Sequence, residues 1–162
     1  MRLEGSCHCR AVRFSVDAHS PVPFMHCHCS ICRKTAGSGG YAINLGADAA
    51  TLSVRGRKHV AIYHAVLREP GQRAKRSPAA RHFCRDCGSA LWLWDPRWPE
   101  LVHPHASAID TPLPKPPETL EIGLAWAPSW VDVPPGRGHR RYAHMPDESL
   151  EDWHRRHGLW SA

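Results

Sequence analysis

Seven cysteines are the residues of this sequence best suited to chemistry, and they fall into three groups. The groups are Cys7 and Cys9 in "SCHCR", Cys27, Cys29 and Cys32 in "CHCSIC", and Cys84 and Cys87 in "FCRDCGS". Thiolates at such short spacings are typical ligands of zinc, which takes four of them in a tetrahedron. The odd number of cysteines, and an N-terminus without the apolar stretch of a signal peptide, argue against a disulfide framework. We therefore expect reduced thiols that bind metal.

The two outer pairs predict one saturated, structural site. Cys84 and Cys87 form a C-x-x-C turn, and Gly88 after them tolerates the positive φ that such a turn often needs. On extended backbone Cys7 and Cys9 lie on one face, so that a small bend brings both to a common ion. Apparent binding free energies of about 10 to 16 kcal/mol for such sites rival the whole stability of a domain, about 5 to 15 kcal/mol. The alternative is that these four are buried or redox-active thiols.

The middle group, Cys27, Cys29 and Cys32, is one donor short of a saturated zinc site. An open position on zinc is where water or a substrate atom binds, and a thiol that binds there is held as the thiolate. This spacing therefore predicts a reactive centre. Arg33 and Lys34 follow the group directly and are candidates for binding or steering an anionic substrate.

Two alternatives remain open for this middle group. One of the 13 histidines, for example His26 or His28, would close the site as a fourth ligand, or two of the three thiols would form a regulatory disulfide. We do not expect His8 or His28 to be a ligand, because each lies between two cysteines and points away from them on extended backbone.

The net charge of +6 suits nucleic acid, an anionic membrane surface or a small anionic substrate. The basic residues are scattered or form short groups at 73–76, 137–141 and 155–156, without interleaved aromatic residues, so that nucleic acid is not expected as a partner. No run approaches the roughly 18 apolar residues of a membrane span. We expect residues 1–162 to form a single zinc-binding domain located in the cytoplasm, and the sequence leaves the oligomeric state open.

Short strands must position these cysteines. Residues 11–17, "AVRFSVD", alternate between apolar and polar side chains as a half-buried strand does. Further strands are predicted at 22–27, 41–45, 51–55, 59–67, 90–94 and 119–126, and loops at 69–80 and 111–118. Only residues 146–158 are predicted to be helical, with Leu150 and Trp153 facing inward and Gly158 ending the helix. The pattern indicates a mainly β fold of antiparallel sheets with a short C-terminal helix.

Three segments together resemble the glutathione-dependent formaldehyde-activating enzyme family, which also includes centromere protein V. They are "GSCHCRAVRF" (5–14), "CHCSICRKTAGS" (27–38) and "FCRDCGSALW" (83–92). All seven cysteines match the family pattern, whereas Arg10 stands where the family usually has glycine. The resemblance implies tent-like sheets pinned by two zinc ions per chain. It also implies which cysteines hold each ion: Cys7, Cys9, Cys84 and Cys87 hold the structural ion, and Cys27, Cys29 and Cys32 the catalytic one.

The resemblance further implies carbon–sulfur chemistry between glutathione and formaldehyde. Our first hypothesis is therefore a zinc-dependent carbon–sulfur lyase or adduct-forming enzyme that acts on a small thiol and an aldehyde. The second is a non-catalytic carrier of glutathione or another small thiol, which would use the same site. The third, suggested by the basic charge and the centromere-linked relative, is a nucleic-acid-associated zinc module.

Overall fold

The computed structural model describes residues 1–68 and 70–160. Over these residues the chain forms short strands in four sheets and two short α-helices. The strands are β1 (Arg2–Ser6), β2 (Arg13–Asp17), β3 (Phe24–Cys27), β4 (Ala42–Asn44), β5 (Ala47–Asp48), β6 (Ser53–Arg55), β7 (Val60–Tyr63), β8 (Val66–Leu67), β9 (Lys75–Arg76), β10 (Ala80–Cys84), β11 (Ala90–Trp94), β12 (Leu101–Pro104), β13 (Thr119–Ile122) and β14 (His139–Arg141). The helices are α1 (Ser30–Ala36) and α2 (Leu150–Arg156). The predicted mainly β fold with antiparallel sheets and a short C-terminal helix is confirmed.

The first sheet is antiparallel, with strand order β1-β2-β6. Phe14 and Val16 of β2 are buried, as the alternation of the sequence predicted. Strand β1 was not predicted, although its Leu3 is fully buried and pairs with Val16. A single apolar side chain in five residues is too weak a period to identify a strand.

The second sheet is also antiparallel, with order β5-β12-β11-β10-β7. Its β10–β11 hairpin carries Cys84 and Cys87 at the turn. The strand predicted at 90–94 is confirmed in its bounds, whereas the one predicted at 59–67 is divided into β7 and β8. The prediction of a loop over 69–80 is wrong in part, because β9 pairs with β8 and β10 begins at Ala80; Glu69 lies outside the described residues. Residues 111–118 are irregular, as predicted.

The third sheet, of order β14-β13-β3-β4, adds two parallel pairs to the antiparallel pattern. Strand β13 runs parallel to both β3 and β14, and places Ile122 beside Cys27 and Glu121 beside His26. The strand predicted at 119–126 ends at Ile122, because Gly123 takes a φ of 71° and starts a short 3₁₀ turn. This sheet therefore positions the middle cysteines.

Helix α1 was not predicted; the expectation that only 146–158 is helical is wrong. Its N-cap is Cys29, whose Sγ accepts a hydrogen bond from the Cys32 backbone N–H at 3.4 Å. Arg33 and Lys34 lie in its last turn, where cations interact favourably with the helix dipole. The chain thus changes from strand to helix between Cys27 and Cys32.

The C-terminal helix α2 is shorter than predicted. It begins after Ser149, whose Oγ accepts a hydrogen bond from the Asp152 N–H at 3.0 Å. It ends at Arg156, and Gly158 follows with a φ of 66°. Trp153 faces inward with 1% exposure, and Leu150 packs partly against the same buried residues. Within the described part of the chain, no helix is long and apolar enough to cross a membrane.

The buried side chains form two apolar clusters, and each contains part of one cysteine group. We call them the first core and the second core. The first core includes Leu3, Phe14, Leu91, Trp92, Cys7 and Cys84. The second core includes Met25, Leu120, Ile122, Trp153, Cys27 and Cys32. Phe24 packs against both.

Candidate metal centres

Four sulfur atoms from distant parts of the chain meet at the edge of the first core. We call Cys7, Cys9, Cys84 and Cys87 the four-cysteine cluster. The Sγ atom of Cys9 lies 3.5 Å from that of Cys7 and 3.8 Å from that of Cys84. A tetrahedral zinc ion with Zn–S bonds of about 2.3 Å separates its sulfurs by about 3.8 Å, whereas a disulfide bond is only about 2.05 Å long. The donor set therefore fits a tetrahedral metal ion.

Two tight turns bring these sulfurs together. The Cys7 carbonyl accepts a hydrogen bond from the Arg10 N–H at 2.9 Å, and the Cys84 carbonyl accepts one from the Gly88 N–H at 2.8 Å. Gly88 has a φ of 75°, as predicted for the residue after a C-x-x-C turn. The first pair was expected on nearly extended backbone, but it too lies in a turn, and Arg10 has a φ of 61°. A residue with a Cβ atom is strained in this left-handed region.

Hydrogen-bond donors favour the thiolate of Cys87, whereas burial raises the pKa of Cys84, and, against a hydrogen bond from the Ala11 backbone, the Cys7 thiol raises the pKa of Cys9. The Val12 backbone N–H donates to Cys7 Sγ at 3.2 Å. The Ser89 hydroxyl, 3.2 Å from Cys87 Sγ, lowers the pKa of that thiol to about 5. Cys7 and Cys84 are buried, whereas Cys9 and Cys87 are exposed. The cluster is thus a ligand set with one side open to water.

The other three sulfurs meet beside the second core. We call Cys27, Cys29 and Cys32 the three-cysteine cluster; their Sγ atoms lie within 4.8 Å of one another. Among residues 1–68 and 70–160, no histidine, aspartate or glutamate joins them as a fourth donor. Hydrogen bonds from the Cys27 and Cys32 thiols lower the pKa of Cys29, against the effect of its burial, and the pKa of Cys27 is raised in turn. Three soft donors around one point fit a metal ion with a free position.

The histidines beside these cysteines are held by a buried carboxylate. Glu121 is 2% exposed; its Oε2 lies 2.7 Å from His28 Nε2 and its Oε1 lies 3.0 Å from His26 Nδ1. His139 Nδ1 also lies 3.2 Å from Oε1. Burial alone would raise the pKa of this carboxyl, but the hydrogen bonds from His26 and His28 lower it to about 2. The two histidines considered as a fourth ligand are therefore partners of Glu121.

A polar cleft of about 660 Å³ lies between α1 and the turns that carry the four-cysteine cluster. Arg33, Lys34 and Arg10 line it together with one carboxylate, Asp110. Cys7 of the four-cysteine cluster and His8 also line it, as do five residues with hydroxyl groups: Ser6, Thr35, Ser38, Ser89 and Ser107. The two cations predicted to bind substrate thus lie in one cleft, but the sulfurs of the three-cysteine cluster do not line it. The cleft and that cluster both include residues of α1.

Sequence reasoning missed three residues close to the three-cysteine cluster. Arg81 on β10 places its Nη2 atom 4.0 Å from Cys32 Sγ. Glu121 carried a signal that was not used, since a carboxylate inside the apolar strand "TLEIGL" must have buried partners.

Trp126 is the third of these residues. A Cβ atom on Gly123 would lie 3.3 Å from both the Trp126 ring and the Cys29 nitrogen, so this half-exposed ring stands close to the cluster. No sequence signal indicated it.

Comparisons with known proteins agree with this geometry. The family model described as glutathione-dependent formaldehyde-activating enzyme matches residues 2–122. A protein from Halomonas elongata that bears the same family name is 56% identical over 159 residues, which cover 98% of each chain. The crystal structure of a Rhodobacter sphaeroides protein, a structural-genomics target, is similar with a TM-score of 0.53 and 28% identity. It is matched over 92% of its own length and 70% of this chain. All seven cysteines fall within the matched range of the family model.

Proposed function

Because the chain belongs to the glutathione-dependent formaldehyde-activating enzyme family, we propose that it adds the thiol of glutathione to formaldehyde and catalyses the reverse cleavage. In the forward direction the thiol sulfur bonds to the carbonyl carbon, and the carbonyl π electrons move to the oxygen. The thiol proton goes to water, and the oxygen takes a proton from water, which gives S-hydroxymethylglutathione. The reverse reaction breaks a carbon–sulfur bond, so the enzyme is a carbon–sulfur lyase.

The observation that carries this proposal is the difference in donor number between the two clusters. One offers four sulfurs, and the other offers three without a fourth side-chain donor among the described residues. A saturated site has no room for a substrate, whereas an incomplete one does. Cys27, Cys29 and Cys32 are therefore the reactive group, and Cys7, Cys9, Cys84 and Cys87 are the structural one.

Zinc is the metal that these donor sets favour, because tetrahedral thiolate sites suit it and it needs no redox chemistry. We propose two ions per chain, one in each cluster. An ion in the three-cysteine cluster would supply a Lewis acid that keeps a bound thiol deprotonated at neutral pH. The cysteines themselves need a reducing compartment, which supports a cytoplasmic location.

The cleft beside α1 suits the charged ends of glutathione. That tripeptide carries two carboxylates and one ammonium group, and the cleft offers Arg33, Lys34 and Asp110. Its volume of about 660 Å³ is within the range of small-molecule sites, roughly 300 to 1,000 Å³. The cleft and the three-cysteine cluster are both next to α1, because this helix carries Arg33, Lys34 and Cys32.

The test is exchange between formaldehyde and glutathione followed by NMR, with the zinc-loaded protein and with Cys29→Ser. The wild-type protein should accelerate the exchange, and Cys29→Ser should return it to the spontaneous rate. Serine is a good helix N-cap, so this variant keeps the start of α1. Ser53→Ala, at an exposed position of β6, is the matched control and should keep the full rate.

One result would contradict the proposal, and a second measurement would then identify the alternative. If the metal-loaded wild-type protein leaves the spontaneous rate unchanged, it is not this enzyme. If it then also binds glutathione saturably in a calorimetric titration, it is a thiol carrier that uses the same residues.

A further inference from the structure

Arg81 is the cation closest to the reactive sulfurs, and sequence reasoning did not single it out. It lies on β10, three residues before Cys84, and its Nη2 is 4.0 Å from Cys32 Sγ, the outer limit of an N–H···S hydrogen bond. Over residues 1–68 and 70–160, no other lysine or arginine side chain lies within hydrogen-bonding distance of a sulfur of the three-cysteine cluster. Arg33 and Lys34 instead line the cleft.

This guanidinium has no carboxylate partner among the described residues. Asp95 acts on it only at longer range, and the Asp95 oxygens themselves accept hydrogen bonds from Arg97 at 2.6 and 2.9 Å. The Nη1 atom of Arg81 is buried and has no hydrogen-bond partner. Taking a charge out of water without a partner is costly. Within hydrogen-bonding distance, the negative charge that can offset it is that of the sulfurs, with Asp95 contributing from farther away.

The three-cysteine cluster, for its part, contains no exposed cysteine. Cys27 and Cys32 are only 7% and 5% exposed and Cys29 is half-buried, so water screens their charge poorly. In the four-cysteine cluster Cys7 and Cys84 are buried as well, but Cys9 and Cys87 are exposed, and water screens part of that charge. Three thiolates and one divalent ion sum to one negative charge, which a single guanidinium neutralises.

His105, which lies close enough to Arg81 to feel its charge, does not help to neutralise the cluster. It is 4% exposed, and burial together with the positive charge of Arg81 lowers its pKa to about 4. Its ring is therefore neutral at pH 7. The positive charge at this side of the cluster belongs to Arg81.

We propose that Arg81 is the counter-ion of the three-cysteine cluster and favours an anionic sulfur, rather than water or a neutral thiol, as the ligand that binds beside Cys32. This inference rests on the proposed function and assigns different parts of the substrate to different cations. Arg81 acts on the sulfur of the substrate, whatever that sulfur is attached to, whereas Arg33 and Lys34 act on its carboxylates. The proton of the entering thiol goes to the solvent.

The experiment is a thiol titration of the cobalt-loaded protein, followed by the sulfur-to-cobalt charge-transfer absorption. Two probes separate the two tasks: 2-mercaptoethanol has no charge apart from its thiol, and glutathione has carboxylates. Arg81→Met should weaken the binding of both thiols by about tenfold to a hundredfold, and Arg81→Lys should restore most of it. Lys34→Met should weaken only glutathione. Arg55→Met, at an exposed position of β6, should change neither.

A cobalt-loaded Arg81→Met protein that binds 2-mercaptoethanol as tightly as the wild type does would overturn the proposal. If Arg81→Met does not fold, Arg81→Lys decides: a folded lysine variant with wild-type thiol binding supports the charge role, and one that has lost thiol binding refutes it. Thiol binding that depends on Arg81, in a protein that does not accelerate the formaldehyde exchange, would refute the proposed reaction alone.

Discussion

The two cysteine clusters use the same donor atom in opposite ways. The four-cysteine cluster joins turns that are 75 positions apart, from Cys9 to Cys84, and has one side in water. The three-cysteine cluster spans six successive positions, from Cys27 to Cys32, and lies against the second core. Joining distant segments constrains the unfolded chain strongly, whereas a local cluster constrains it little. Under the roles that we propose, the comparison teaches that sequence separation, as well as donor number, distinguishes a site that fastens a fold from one that is free to react.

The largest expected effect is on the four-cysteine cluster. Cys84→Ser removes a buried ligand and should cost about 10 kcal/mol of metal-linked stability. This is most or all of the free energy of unfolding of a domain. The variant should be insoluble or unfolded by circular dichroism, and should bind neither metal equivalent. Cys29→Ser is the matched control and should fold and keep one equivalent. If Cys84→Ser melts within a few degrees of the wild type, this cluster does not fasten the fold.

A substitution in the second core should instead affect the three-cysteine cluster first. Trp153 is 1% exposed and its Nε1–H donates to Glu118 Oε1 at 2.7 Å, so Trp153→Ala should destabilise the fold by about 3 to 5 kcal/mol in denaturant unfolding. Because Cys27 and Cys32 belong to this core, the three-cysteine cluster should lose metal to a chelator before the four-cysteine cluster does. Trp98→Ala, at a position 45% exposed, is the control and should change neither quantity. Equal loss of metal from both clusters would argue against separate cores.

The buried Glu121 makes acid stability a probe of the same region. Its pKa is lowered from 4.5 to about 2 in the folded protein. Its hydrogen bonds with His26 and His28 therefore stabilise the fold above about pH 4.5, and this contribution is lost as the pH falls from 4.5 towards 2. Unfolding midpoints measured between pH 2 and 6 should fall more steeply for the wild type than for Glu121→Gln. Parallel curves would mean that this carboxyl titrates alike in both states.

The smallest expected effect concerns the turn of the four-cysteine cluster. Arg10 has a φ of 61°, so Arg10→Gly relieves strain but increases the entropy of the unfolded chain. The two terms leave a net stabilisation of about 1 kcal/mol, or roughly 3 °C in the melting temperature. Arg10→Ala keeps the strain and serves as the comparison. A glycine variant that melts below the alanine variant would show that the turn is not strained.

The grouping of the cysteines was readable from the sequence, because ligand geometry depends on short spacings. So was strand β2, where Phe14 and Val16 alternate with polar residues. Helix α1 was missed because its N-cap is a cysteine, which does not belong to the usual capping residues. Arg81 was missed for a different reason: its contact with Cys32 joins β10 of the second sheet to α1, 49 positions apart, and such packing leaves no local signal in the sequence.

The uneven exposure of the sulfurs also determines which cysteines are oxidised first during storage. Oxidants arrive from the solvent and attack accessible thiolates first. Cys87 is exposed and its pKa is lowered to about 5, and the half-buried Cys29 also has a lowered pKa, whereas Cys27 and Cys32 are shielded. Each cluster therefore contains one early target, and a stored sample should both precipitate and lose turnover in the molecules that stay dissolved.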